Sequence, residues 1–287
     1  MTVANAIEKE EALIGWLRAC GRVAIGFSGG VDSSYLAAVT METLGAEHSL
    51  ALIGHSASLS GSEEDHAAGV ARALGMSIVE IDTGELSDPR YAANPANRCY
   101  FCKSVLWMTL LPVARERGFE TLVDGTNADD LHDYRPGGRA ATEQGVRTPL
   151  ADVGLTKAEI RALARRRGFE WWDRPAAPCL ASRLPYGTPV TPERLRQVDA
   201  AEAALRALGV TGNLRVRHHG VTARIELDRA VLASFAEGAD HAALVAAVKA
   251  AGFETVELDA RGFRSGSLNV LHGDAASATH GAPLPGR

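Results

Sequence analysis

Apolar residues fall into short runs separated by stretches of helical spacing, and this alternation predicts a sheet wrapped by helices. Residues 22–27 (RVAIGF) form one apolar run, ending at Ser28. Tyr35, Leu36, Val39, Met41 and Leu44 then recur at helical spacing, and Gly45 supplies a C-terminal stop. The runs LALIGH (50–55), SIVEID (77–82) and TLVDG (121–125) predict further strands. Between them, Ser60 and Glu63 have capping-box spacing before a helix to about Leu74, and residues 102–117 have helical spacing. Thr156 and Glu159 form a second such box, opening a helix that ends in Arg165, Arg166 and Arg167. Cations there complement the helix dipole, so the arginine run reads as a solvated terminus. The predicted class is α/β: a parallel, doubly wound, Rossmann-like sheet covered on both faces.

The order changes after Pro185-Tyr186-Gly187. An Ala-rich helix (192–208), strands near 213–218 and 222–227, a helix near 240–251 and a strand near 254–259 follow. A smaller α+β domain over 186–273 is therefore expected after a first domain over 1–185. The segment 274–287 (DAASATHGAPLPGR) is small and polar, and is expected to be a disordered tail.

Composition narrows the class further. The 287 residues are 46% apolar with a net charge of −5, which excludes wholesale disorder. No run of about 18 apolar residues occurs, and the N-terminus lacks a basic region before an apolar one. A cytoplasmic protein without membrane association is expected. Its acidic balance makes nucleic acid an unlikely partner, and a small-molecule substrate is expected instead. Of 30 basic residues only Lys9, Lys103, Lys157 and Lys249 are lysines. The four cysteines, at 20, 99, 102 and 179, are too few for a disulfide scaffold. In a reducing compartment the Cys99-x-x-Cys102 pair points to metal or thiol chemistry, whereas Cys20, beside Gly21, reads as a core residue.

The sharpest motif is Ser28-Gly29-Gly30-Val31-Asp32-Ser33-Ser34, between a predicted strand and a predicted helix. Glycines let the backbone approach an anion while the first helical N–H groups point at it. Ser28, Ser33 and Ser34 add hydroxyl donors. Asp32 would repel a bare phosphate, so its presence implies Mg²⁺ between carboxylate and phosphate. No lysine follows the glycines, which excludes the phosphate loop of kinases and GTPases.

This string resembles the PP-loop of ATP pyrophosphatases, which cleave ATP between the α and β phosphates and adenylate a substrate oxygen. Gly125-Thr126-Asn127-Ala128-Asp129-Asp130 resembles the second phosphate and metal segment of that group, and His55 falls where related enzymes receive adenine. The resemblance implies ATP binding by Ser28, Gly29, Gly30, Asp32, Ser33, Ser34, His55, Gly125, Asn127 and Asp130. Three segments narrow it: Asn97 to Lys103 (NRCYFCK), Gly125 to Gly137 (GTNADDLHDYRPG), and Pro178 to Arg183 (PCLASR). Together they are similar to the LarE family, sulfur-insertion enzymes of nickel-pincer nucleotide synthesis, from about residue 10 to about 270.

That family implies a substrate, pyridinium-3,5-biscarboxylic acid mononucleotide, whose carboxylate is adenylated before sulfur displaces AMP. It also implies two sources of sulfur. In one, the cysteine matching Cys179 gives up its own sulfur and becomes dehydroalanine. In the other, three cysteines, here Cys99, Cys102 and Cys179, hold a 4Fe–4S cluster whose open iron carries an extra sulfide. Buried thiols, a zinc clip or a dithiol pair remain alternatives for Cys99 and Cys102. Asp32 and Cys179 are the expected catalytic residues.

Arg215 and Arg217 lie two apart on one predicted strand, so they share a face and suit a phosphate. In the resembling family this Arg-x-Arg holds the substrate's 5′-phosphate. Glu226 is a candidate metal or orienting carboxylate, and Arg135 and Arg183 are candidates for the same cleft. The family also implies a homo-oligomer, as hexamers. A tRNA-thiolating enzyme, an amidotransferase and a nucleotide-binding sensor are the competing classes.

Overall fold

The structure, a computed structural model, describes residues 3–132 and 136–264. Two compact units make up the chain. One comprises Met1–Cys179 with Pro189–Thr191, and the other Leu180–Thr188 with the residues from Pro192 onward. The division thus falls before the Leu180–Arg183 turn, earlier than the boundary after Pro185 expected from the change of pattern. Segment 274–287 and Arg135 lie outside the described residues.

The first unit runs α1 (Val3–Cys20), β1 (Val23–Gly26), α2 (Val31–Leu44), β2 (Ser49–His55), α3 (Gly61–Ala73) and β3 (Ser77–Asp82). It continues with α4 (Pro89–Ala92), α5 (Arg98–Glu116), β4 (Thr121–Val123), α6 (Pro136–Glu143), α7 (Pro149–Asp152) and α8 (Lys157–Arg166). All four strands are parallel, in the order β3-β2-β1-β4. Alternate residues of β1 serve opposite faces. Val23 and Ile25 pack with Leu13, Leu17, Leu36, Val39, Ile160 and Leu163 of α1, α2 and α8. Ala24 packs with Leu50, Leu52, Trp107, Leu110 and Ala140 on the other side. Apolar residues on both faces of one strand are what a doubly wound sheet requires, and the predicted class is the observed one.

Three local departures have identifiable causes. Ser60 caps α3 in position only. Its hydroxyl meets Ser62 Oγ at 3.2 Å, and Glu63 pairs with Arg174 at 2.6 Å, so the expected capping box does not close. At α8 the box is complete: Thr156 N donates to Glu159 Oε2 (2.9 Å) and Glu159 N to Thr156 Oγ1 (3.3 Å). The strand expected over 121–125 stops at Val123, because Asp124 Oδ1 accepts from Thr126 N at 2.9 Å and turns the chain. Finally, α5 starts at Arg98 rather than 102, which puts both Cys99 and Cys102 in helix.

The second unit contains α9 (Pro192–Ala207), β5 (Leu214–His219), β6 (Thr222–Leu227), α10 (Arg229–Leu232), α11 (Gly238–Ala250) and β7 (Thr255–Leu258). The sheet order is β5-β6-β7, with β5 and β6 antiparallel and β6 and β7 parallel. Its core is Leu195, Val198, Ala201 and Leu205 of α9, Val216 and Ile225 of the sheet, and Leu244 and Val248 of α11. Among the described residues no single helix is long and apolar enough to cross a membrane.

At Gly125 the β4 loop lies against the first turn of α2. A Cβ there would stand 2.7 Å from Ser33 N and 3.0 Å from Ser33 Cα, backbone atoms that cannot rotate away. Gly125→Ala is therefore expected to destabilise the protein by about 1–3 kcal/mol. A thermal melt beside Gly138→Ala, whose added methyl meets nothing within 4 Å, checks this.

Candidate active site

In the order β3-β2-β1-β4, strands β1 and β4 are neighbours, yet β1 connects through α2 to β2 on its other side. This reversal of strand order puts the loops leaving the C-terminal ends of β1 and β4 at the ordinary ligand position of such sheets. The β1 loop carries Ser28 to Gly30. Gly29 has φ +70°, and a Cβ on it would meet Ala67 Cα at 2.7 Å, so both conformation and space require glycine. Ser33 Oγ donates to Gly30 O (3.1 Å) and lies 3.1 Å from Ser28 Oγ, bracing the loop across the first turn of α2. Ser34 Oγ is buried and has no hydrogen-bond partner among the described residues.

The β4 loop interlocks with it through Asn127. This buried amide donates to Asp32 Oδ2 at 3.3 Å, while its Oδ1 accepts from the Asp129 (2.9 Å) and Asp130 (3.3 Å) N–H groups. Asp32 is thus held between two loops. Burial, above all, pushes its carboxyl pKa upward; Asp130 adds to the shift, and Lys157 and Asn127 oppose it.

Lys157 is the functional residue that the motifs miss. Its Nζ donates to Asp32 Oδ2 at 2.6 Å, and its backbone N to Asp129 Oδ2 at 2.8 Å. The residue opens α8, directly after the Thr156 cap, so the capping box fixes the helix end that aims it. A loop read as lacking a lysine has one after all, delivered from another element. Its signal in the sequence is slight: one of four lysines, next to a capping threonine.

Among the described residues Asp32 Oδ1, which is buried, has no partner. With Asp130 beside it, that oxygen fits a divalent cation entering with a nucleotide's phosphates. Mg²⁺ is commonly bound in this way, by one or two carboxylates plus phosphate oxygens. His55, at the end of β2, is bracketed by Glu64 and Glu80, each at 3.1 Å, and the Glu64 hydrogen bond raises its pKa above the ordinary range.

The cysteines form a second cluster in the same unit. Cys99 and Cys102 sit one turn apart at the start of α5, and both respond to Cys179 from far along the chain. Burial pushes the Cys102 thiol up to about 12, with Cys179 contributing next. Cys99 keeps surface exposure, yet the surrounding protein and then Cys179 push it up as well, against Arg98 and Lys103. Tyr91, buried, feels Cys179 and Cys102 and hydrogen-bonds Ser58 through its hydroxyl. Glu85, also buried, lies near Cys102 and accepts from Thr83 Oγ1 at 2.6 Å. Among the described residues no three His, Cys, Asp or Glu side chains stand as a ready ligand set for a metal ion. The thiols share a field, not a coordination sphere. Cys20 packs against the core below α1.

In the second unit Arg215 and Arg217 do share a face of β5, but they are not equivalent. Arg217 is committed: Nε and Nη2 donate to Glu226 Oε2 (3.1 and 2.8 Å), and Nη1 to Ser182 O (3.0 Å). Glu226 therefore orients an arginine. Arg183 pairs with Glu202, at 2.9 and 2.7 Å. Arg215 has no carboxylate partner among the described residues. It donates to Leu214 O at 2.6 Å and lies 5.2 Å over the Phe263 ring. Burial, followed by the charge of Arg183, lowers its pKa to about 10.

The sequence model of the NAD synthase family matches residues 16–93, the stretch holding the β1 loop. An uncharacterized protein of Synechocystis is 44% identical over 248 residues, 86% of this chain and 92% of that one. One of Methanocaldococcus jannaschii is 30% identical over 155 residues, 54% of this chain and 58% of its own length. The pyridinium-3,5-bisthiocarboxylic acid mononucleotide synthase of Lactiplantibacillus plantarum is 34% identical over 277 residues, 96% of this chain and 99% of the relative. The chain belongs to the LarE family.

A LarE-type enzyme is an ATP-dependent sulfurtransferase with a PP-loop. Four loops follow the strands of the first sheet in this chain. Ser28–Gly30 follow β1, Ser56 and Ser58 follow β2, Glu85 follows β3 and Asn127 follows β4. All four leave C-terminal strand ends.

Removing Lys157 leaves a buried carboxylate without its cation. Lys157→Ala is expected to weaken binding of Mg²⁺ with a non-hydrolysable ATP analogue by about tenfold or more, read by calorimetry. Thr156→Ala, which loses only the cap, is expected to cost about 1 kcal/mol of stability with a smaller effect on that affinity.

Proposed function

We propose that the chain adenylates a carboxylate of pyridinium-3,5-biscarboxylic acid mononucleotide. Pyrophosphate leaves, and sulfur then displaces AMP to give the thiocarboxylate used in nickel-pincer nucleotide synthesis. The whole-length similarity to a synthase of the bisthiocarboxylic mononucleotide supports this reading. A carboxylate is a poor electrophile, and its acyl adenylate has a good leaving group. Ser28, Gly29, Gly30, Ser33, Ser34, Gly125, Asn127 and Asp130 would line the phosphates. Asp32 would hold Mg²⁺ with Asp130, and Lys157 would move from Asp32 toward the phosphate oxygens as that cation binds. His55 would border the adenine, and Arg215 would take the substrate's phosphate, steadied by the Arg217–Glu226 pair.

For the sulfur source, the observation that carries most weight is the shared field of Cys99, Cys102 and Cys179. Cys99 and Cys102, whose thiols both resist ionisation in part because Cys179 is near, favour a cationic guest that would stabilise their thiolates. With Cys179 these residues would hold a 4Fe–4S cluster, which would supply an iron open to an extra sulfide. Arg98 and Lys103 favour the thiolate at Cys99, and Lys103 does so at Cys102. Without a cluster, Cys179 would donate its own sulfur.

Protein isolated without oxygen is expected to contain about four irons per chain and to turn over repeatedly. Cys99→Ala and Cys102→Ala should each lose the iron and repeated turnover together. A chain lighter by about 34 Da after one turnover, with one sulfur lost from Cys179, would replace the cluster with the sacrificial route.

A further inference from the structure

We propose that Arg224 is a third guanidinium of the phosphate site on the second unit, which takes a dianionic phosphate monoester. This rests on the reading that Arg215 receives the substrate's phosphate. Strands β5 and β6 pair so that Arg217 stands opposite Arg224, and Arg215 opposite Glu226. Directly opposed residues project from the same face, so three arginines and one glutamate share it. Arg215 and Arg224 are diagonal neighbours in this register, a separation that long side chains bridge.

Like charges set directly opposite each other repel, and the carboxylates nearby are already engaged. Glu226, fully buried, accepts two hydrogen bonds from Arg217, and Arg224 Nη2 comes only within 3.6 Å of its other oxygen. Asp259, which also feels Arg224, accepts from Arg261 at 3.1 and 3.0 Å. Glu202 is paired with Arg183. Arg224 Nε is buried and has no hydrogen-bond partner among the described residues. A donor left in that state is unfavourable unless a ligand completes it. Among the described residues Arg215 thus has no carboxylate partner, and Arg224 has only the 3.6 Å ion pair with a Glu226 that Arg217 holds more closely. A phosphate monoester brings two negative charges and at least three acceptor oxygens to that face, whereas a diester brings one charge and two free oxygens.

The test uses the full chain, saturated with a non-hydrolysable ATP analogue so that the nucleotide loops are filled. Ribose 5-phosphate, ribose and the methyl ester of ribose 5-phosphate are titrated calorimetrically. Wild type should bind the monoester, bind the methyl ester about tenfold more weakly or worse, and ignore ribose. Arg224→Gln should weaken monoester binding by about tenfold. Its melting temperature should not fall, because a like charge and an unsatisfied donor are removed together. Arg224→Lys, which restores the charge without Nε, should recover only part of the affinity. Monoester affinity in Arg224→Gln within twofold of wild type, or equal binding of the two esters, overturns the proposal. If Arg215→Ala also leaves the affinity unchanged, or wild type binds no monoester, the phosphate reading of this face falls with it.

Discussion

Burial of the Asp32 carboxylate beneath two loops sets the terms for everything around it. A carboxyl taken out of water resists ionisation, and this one keeps company with a second acid, Asp130. Lys157 and Asn127 offset part of that effect through one oxygen, leaving the other with no partner among the described residues. The glycines follow from the same constraint. Gly29 lets the β1 loop lie on Ala67, and Gly125 lets the β4 loop lie on the backbone of Ser33. The approach at Gly125 brings the β4 segment against Ser33 and Asp32, where Asn127 donates to the Asp32 carboxylate.

The thiol cluster works by the same electrostatic logic. Cys179 raises the cost of ionising Cys99 and Cys102, and buried Glu85 adds to it at Cys102. Each site in the first unit thus gathers anionic or potentially anionic groups. Arg215 and Arg224 show the converse in the second unit, where the carboxylates nearby are already engaged by other arginines.

Much of this is legible in the residues, for reasons that differ by element. The strands β1 to β3 are readable because each is a short apolar run ending in a turn. The PP-loop string is readable because its spacing combines glycines, serines and an acid as few loops do. Less visible is anything that depends on which element lands beside which. The start of α5 at Arg98 is hidden by Asn97 and the polar stretch before it, and the incomplete cap at Ser60 depends on Arg174, far along the chain. Lys157 belongs to this class, since no local pattern states that its ammonium will reach Asp32. Likewise the Arg-x-Arg spacing places two guanidinium groups on one face, but only the β5–β6 register reveals that Glu226 engages one of them.

Placing the lysine on α8 has a consequence for how such sites diverge. In the commoner phosphate loop the glycines and the lysine travel as one segment, so a chain keeps or loses them together. Here the charge that balances Asp32 sits at the start of a separate capped helix, later in the chain. An insertion or deletion between β4 and α8 would swing Nζ away and leave SGGVDSS untouched. Two chains with identical loops could therefore differ in whether the loop is electrically complete, and the difference would be found in the spacing between β4 and α8.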